Sequence, residues 1–165
     1  MKLKIIHYIK EIVLFLIIIT ISSNIISLYK SDNLTSKPLD ITSFKLIDGT
    51  DFHIDNSKPI LIHFWATWCP TCKLEASNID TISKNFQVIT IAVQSDKNQD
   101  IQKFLKQNSL NFMVVNDRDS SFAHNFNISA YPTTFIYNKK RELVFSDVGY
   151  TSTLGLWLRM WWATL

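Results

Sequence analysis

Two residues of this chain have side chains suited to redox chemistry, Cys69 and Cys72, and they are its only cysteines. They stand three positions apart in Trp65-Ala66-Thr67-Trp68-Cys69-Pro70-Thr71-Cys72. That spacing is close to one helical turn, so on a helix both sulfurs face the same side and can close a small disulfide. Pro70 suits a first helical position, where its missing N–H is not needed. Cys69 then sits at the helix start, beside unpaired N–H groups and the positive end of the helix dipole. Such surroundings stabilise a thiolate and lower its pKa. Cys69 is therefore the expected exposed nucleophile and Cys72, one turn inward, the expected resolving thiol. Attack by Cys69 on a foreign disulfide would give a mixed disulfide, which Cys72 would then release. Two other uses of the pair are open. A purely structural disulfide across so short a loop stabilises weakly. Two thiolates are also reasonable ligands for Cu(I). Zinc would need further ligands, and the four histidines form no ligand-spaced pair.

The elements that must position this pair are legible from pattern. Pro59 precedes Ile60-Leu61-Ile62-His63-Phe64-Trp65-Ala66, a nearly continuous apolar run that reads as a strand buried on both faces. A helix is expected from Cys69-Pro70 to about Lys84. Val88–Val93 reads as a second buried strand, and Ile101, Phe104, Leu105 and Leu110 as a helical stripe. Phe112-Met113-Val114-Val115 is a third strand candidate, followed by a short helix over Ser121–Phe126. Thr133–Tyr137 and Leu143-Val144-Phe145 flank Asn138–Glu142 as a hairpin. A first hairpin is expected earlier, with Phe44–Ile47 and Asp51–Ile54 around Asp48-Gly49-Thr50. Ser152–Leu165 is helical in pattern, with Trp157, Trp161, Trp162, Leu154 and Leu158 on a shared face whose default is packing on the sheet. Strands alternating with helices give an α/β domain with a mixed sheet.

Charge divides the chain in two. Residues 1–30 carry four lysines against Glu11, whereas residues 31–165 carry 13 basic and 13 acidic side chains. A balanced domain has no excess to neutralise phosphates, which argues against nucleic acid as a partner. Between Glu11 and Lys30 there is no charged residue. As a helix that stretch is about 27 Å long, close to the roughly 30 Å hydrocarbon core. Residues 1–30 read as a membrane anchor with a cytoplasmic N-terminus, the alternative being a cleaved signal peptide. Residues 31–40 are polar and read as a linker, and residues 41–165 as the domain.

Trp65–Cys72, with Tyr131-Pro132-Thr133-Thr134-Phe135 some sixty residues later, resembles the active-site segment and the cis-proline loop of the thioredoxin superfamily. The apolar N-terminus and the hairpin before the first buried strand make it similar to the membrane-anchored TlpA and ResA type. Gly149-Tyr150-Thr151 and Gly155-Leu156-Trp157-Leu158-Arg159 resemble the group called suppressor of copper sensitivity protein D. The resemblance implies a thioredoxin-like α/β fold with an N-terminal hairpin extension. It implies a cis Pro132 beside the cysteines, and a Tyr131 backbone that pairs with an extended substrate. Trp68, Pro70 and Thr71 are the further substrate-contacting candidates. Many thioredoxins place a buried aspartate six residues before the first cysteine. Here that position is His63, so the proton acceptor of Cys72 is expected to be Glu75, with His63 the alternative. Trp65 is expected in the core, and His53 and His124 as surface or turn residues.

The expectation is an extracytoplasmic thiol–disulfide oxidoreductase, anchored in a bacterial inner membrane with its domain on the periplasmic side. Its partners would be protein thiols and disulfides, with a membrane thiol–disulfide transporter as electron donor. It would use no cofactor or metal beyond its own Cys69–Cys72 pair, and the reducing direction follows by analogy with anchored relatives. Two alternatives are a cytochrome c maturation reductase and a copper-binding module for copper tolerance. The first usually has a glutamate after the cis-proline, where this chain has Thr133.

Overall fold

The computed structural model describes residues 10–15, 18 and 34–165. Most of the anchor expected over residues 1–30 lies outside them. Among the described residues no helix is long and apolar enough to cross a membrane. Residues 10–15 are helical. The domain runs β1 Ser43–Lys45, β2 Asp51–His53, β3 Ile60–Trp65, α1 Pro70–Ser83, β4 Gln87–Val93 and α2 Asn98–Gln107. It continues with β5 Val114–Asp117, α3 Ser121–Asn125, β6 Thr133–Tyr137, β7 Leu143–Val148 and α4 Thr153–Trp162.

Five strands form one sheet in the order β5-β4-β3-β6-β7. The β3–β4 and β4–β5 pairs are parallel, and the β3–β6 and β6–β7 pairs antiparallel. The sheet is therefore mixed, as the sequence pattern implies. β3 sits at its centre, and all six of its residues are buried. Side chains alternate along a strand. Leu61 and Trp65 consequently join the cluster under α1, while Ile60, Ile62 and Phe64 join the cluster on the opposite face. A strand covered on both faces must be apolar at every position, which is why this segment reads as a run rather than an alternation.

Each face has its own layer. Cys72, Ala76, Ile79 and Ile82 of α1, Ile101 of α2, and Leu156 and Met160 of α4 fill the first cluster. Ala123 and Phe126 fill the second, together with Phe44, Leu34 and Leu39. β1 and β2 form a separate antiparallel ribbon around Gly49, whose φ of +89° favours glycine. Ile47 N–H ties that ribbon to the Val114 carbonyl at 2.9 Å.

Three expectations change. The polar segment read as a linker is packed from residue 34 onward. Leu34 and Leu39 are buried, Thr35 N–H donates to the Phe126 carbonyl, and Leu39 N–H donates to the Arg141 carbonyl. Each buried leucine contributes roughly 1.5–3 kcal/mol, which offsets part of the cost of ordering the segment. Two leucines spaced among polar residues give no periodic signal. The third strand starts at Val114 rather than Phe112. On α4 the buried residues are Leu156 and Met160, whereas Leu154, Trp157, Leu158, Trp161 and Trp162 stay exposed. A helix this rich in large apolar residues offers more than one candidate face, and packing on α1 selects one of them.

Candidate active site

The site begins at the C-terminal end of β3. Two buried strands on either side fix the backbone there, and the chain leaves Trp65 through a short turn in which Cys69 N–H donates to the Ala66 carbonyl at 3.2 Å. Cys69 is the N-cap of α1, in extended conformation, and Pro70 follows at the start of the helix. The Cys69 sulfur accepts the Cys72 N–H at 3.2 Å. Sulfur thus takes the place that an N-cap oxygen usually fills. The same N–H is available to a thiolate once the pair is reduced, which favours the charged form. Cys69 and Cys72 are joined by a disulfide, with Cα atoms 5.3 Å apart.

Cys69 is the more accessible of the two, at 5% against 1% for Cys72. The nucleophile is therefore nearly covered, not openly exposed as the sequence reading has it. The reason is the loop beside it: Cys69 Sγ lies 3.8 Å from the Tyr131 carbonyl oxygen. The Tyr131–Pro132 peptide bond is cis. Pro132 is buried and Tyr131 half-buried. The Pro132 carbonyl accepts the Gly149 N–H at 2.8 Å, so the turn after β7 holds this loop. Gly149 has a φ of +105°, a conformation that favours glycine.

Trp68 and Tyr131 meet edge to face with ring centroids 5.8 Å apart. Trp68 is 56% exposed. Its indole N–H donates to the Gln94 carbonyl at 3.1 Å, and Thr67 N–H donates to Ser95 Oγ at 3.0 Å. Gln94 and Asp96 both have left-handed φ angles, 46° and 67°. The loop after β4 is thus held in a costly conformation next to the cysteines, a placement common at functional sites. Pro70 is exposed and Thr71 half-buried on the first turn of α1. Trp65 is in the core, 5.2 Å from the Phe104 ring.

Glu75 is fully buried, on the same α1 stripe as Cys72 and Ala76. Its Oε1 accepts the Thr151 N–H at 3.1 Å, and its Oε2 has no partner. Burial pushes its carboxyl up to about 8, with a smaller upward push from Asp147 and an opposing pull from the Thr151 N–H. His63 is buried too, and its Nδ1 lies 2.9 Å from Thr134 Oγ1. Burial pushes the imidazole down to about 3, so it is neutral at ordinary pH. His53 and His124 are exposed.

Sequence reading did not single out the loop Gln94–Asp96, the Thr151 N–H, or the pair Asp147–Arg159, which meet at 3.1 and 3.2 Å. Polar residues bracketing the last strand were the available signal, but nothing local says which helix residue they meet. Among the described residues no group of three or more His, Cys, Asp or Glu side chains is placed to hold a metal ion.

Residues 33–146 match the AhpC/TSA family. A thioredoxin-like protein of Haemophilus influenzae is 35% identical over 112 residues, which cover 67% of this chain and 66% of that protein. Sporulation thiol-disulfide oxidoreductase A of Bacillus subtilis is 32% identical over 113 residues, covering 64% and 68%. The chain thus spans about two thirds of the length of these curated relatives. The crystal structure of StoA from Bacillus subtilis superposes with a TM-score of 0.64 at 25% identity, covering 77% of this chain and 98% of that one. With residues 33–146 matching its model and thiol–disulfide oxidoreductases among the relatives, the chain belongs to the AhpC/TSA family, among its thioredoxin-fold thiol–disulfide oxidoreductases.

Proposed function

We propose that this protein is a membrane-anchored, extracytoplasmic oxidoreductase that reduces disulfides in other proteins. The observation that carries the reading is the Cys69–Cys72 pair at the start of α1, with the Cys69 sulfur against the carbonyl of the cis Tyr131–Pro132 peptide. In the reduced protein the Cys69 thiolate attacks one sulfur of a substrate disulfide. A Cys69–substrate bond forms, the substrate S–S bond breaks, and the leaving sulfur departs as a thiolate that takes a proton from water. Cys72 then attacks Cys69, forming the internal disulfide and releasing the second substrate thiol. The substrate gains two electrons and the pair loses two. Tyr131, in the bend beside Cys69, presents main-chain groups to the substrate segment, and the exposed Trp68 ring covers its side chains. Pro70 and Thr71 line the first turn of the helix.

Glu75 takes the proton that Cys72 loses. Its raised pKa fits that role, because the carboxyl of the oxidised form then holds a proton near neutral pH. His63 is a poor second choice: its imidazole is too weak a base and is engaged with Thr134. No cofactor is required, and a membrane thiol–disulfide transporter would return the electrons. The anchor reading rests on the charge-free stretch between Glu11 and Lys30 after a lysine-rich start.

The test is insulin reduction by the full chain in detergent, with dithiothreitol as electron source, against Cys69→Ser. Wild type turns over and Cys69→Ser does not; equal rates would remove the oxidoreductase reading. Cys72→Ser should accumulate mixed disulfides with its substrates, and the reduction potential of the pair decides the direction.

A further inference from the structure

The alternation that buries Leu61 and Trp65 beneath α1 also sends His63 to that face. The strand registers extend this position across the sheet. His63 is opposite Thr90 on one side and Thr134 on the other, and Thr134 is opposite Asp147. Val88, Ala92 and Ile136 belong to the cluster on the same face, so Thr90 and Thr134 face α1 as well. A polar row therefore crosses four strands of the sheet beneath the helix that bears Glu75.

The row ends in an ion pair. Arg159 of α4 donates from Nε to Asp147 Oδ2 at 3.1 Å and from Nη2 to Oδ1 at 3.2 Å. Both side chains are mostly covered, and the guanidinium lies 6.0 Å from the centre of the Phe145 ring. A Cβ at Gly155 would come within 3.1 Å of Arg159 Nη1, so the missing side chain there leaves the guanidinium its place. Glu75 is held from the same segment, by the Thr151 N–H. Asn78, one turn further along α1, donates to the Thr151 carbonyl and accepts from Thr153 Oγ1. The stretch from Asp147 to Arg159 is thus docked on α1 around a buried carboxyl with one unpartnered oxygen.

We propose that Arg159 is a positioning residue for Glu75: by neutralising Asp147 it sets the pH at which the Glu75 carboxyl gives up and takes its proton. The assignment rests on the reading of Glu75 as the proton acceptor of Cys72. The titratable and charged groups on the elements around Glu75 are Cys72, Lys73 and Asp80 on its own helix, His63 on β3, Asp147 on β7, Tyr150 in the turn and Arg159 on α4; Lys73 is exposed and Asp80 pairs with Lys84 at 2.8 Å. His63 is neutral. Asp147 is the nearby carboxylate whose charge raises the Glu75 pKa; burial raises the Asp147 pKa in its turn, and Arg159 pulls against that rise.

The experiment follows the Glu75 carboxyl by carbon NMR in the oxidised full chain in detergent, with Glu75→Gln to assign the signal. Arg159→Met leaves Asp147 uncompensated and should raise the titration midpoint by on the order of one pH unit. Asp147→Asn leaves the guanidinium uncompensated and should lower it by a similar amount. The double variant should return towards wild type. A merely structural pair behaves differently: loosening α4 hydrates Glu75, and all three variants then move down together. That result, or an unmoved midpoint in Arg159→Met, overturns the proposal. The second readout is the pH dependence of cysteine alkylation in the reduced protein, which should shift in the same order. If the carboxyl moves as expected while the alkylation profile does not, the coupling stands and Glu75 is not the acceptor of Cys72.

Discussion

Replacing Glu75 by glutamine should make the protein more stable and less active, with a stability gain that depends on pH. In an unfolded chain the carboxyl titrates near 4.5, and burial in the folded protein moves it to about 8. A carboxyl whose pKa is higher folded than unfolded adds its full stability below the unfolded value. Above it the unfolded chain releases the proton first, so that stability is lost as pH rises towards the folded pKa. The loss is about 1.4 kcal/mol per pH unit, on the order of 3 kcal/mol by pH 7, and it levels off above about pH 8. Glutamine has no proton to lose. Its carbonyl can keep the Thr151 N–H, and its amide nitrogen replaces the unpartnered Oε2 at a cost close to that of a protonated carboxyl. Urea denaturation of the oxidised protein from pH 4 to 9 should therefore show equal stabilities near pH 4. Glu75→Gln should pull ahead through pH 5–8, reaching on the order of 3 kcal/mol at pH 7. In the insulin assay the same variant should slow above neutral pH, where wild type gains the ionised acceptor. A stability difference that is constant across pH 4–8 would refute the buried, proton-holding carboxyl.

Four further predictions follow from the packing. Leu156→Ala removes a fully buried side chain at the α1–α4 contact and should cost about 2–5 kcal/mol, read by equilibrium denaturation. Trp157→Ala on the exposed face, by contrast, should stay within about 0.5 kcal/mol. At Gly149 an added Cβ would meet no atom within 4 Å, so Gly149→Ala costs backbone strain alone, about 1–3 kcal/mol. It should also lower kcat/KM by loosening the Pro132 loop. Trp68→Ala should leave stability nearly unchanged and reduce kcat/KM for protein substrates by about tenfold, because the exposed ring is held by Gln94 and Tyr131 for contact.

Much of the site was readable as text. Cys69-Pro70-Thr71-Cys72 after a continuous apolar run specifies a buried strand, a turn and a helix start, and all three depend on neighbours in sequence. The second half of the site was legible by resemblance, since Tyr131-Pro132 shows in sequence only that a cis bond is cheap. Glu75 illustrates the limit. Its spacing from Cys72 puts it on the same helix face, but a glutamate on a helix is most often solvated. Only the contact with Thr151, 76 positions away, makes it a buried carboxyl.

The amino-acid order by itself determined the identity and order of the two thiols, the burial of β3 and the balanced charge of the domain. These are set by period, turn chemistry and composition, which act over a few residues. Tertiary structure decided what those residues touch. It chose the buried face of α4 among several apolar ones and pinned Leu34 and Leu39 to the domain. It lined up Thr90, His63, Thr134 and Asp147 across four strands, and it brought Arg159 to the end of that row. Each of these depends on strand register and helix docking, which bring together residues far apart in the chain and so leave no local pattern to read.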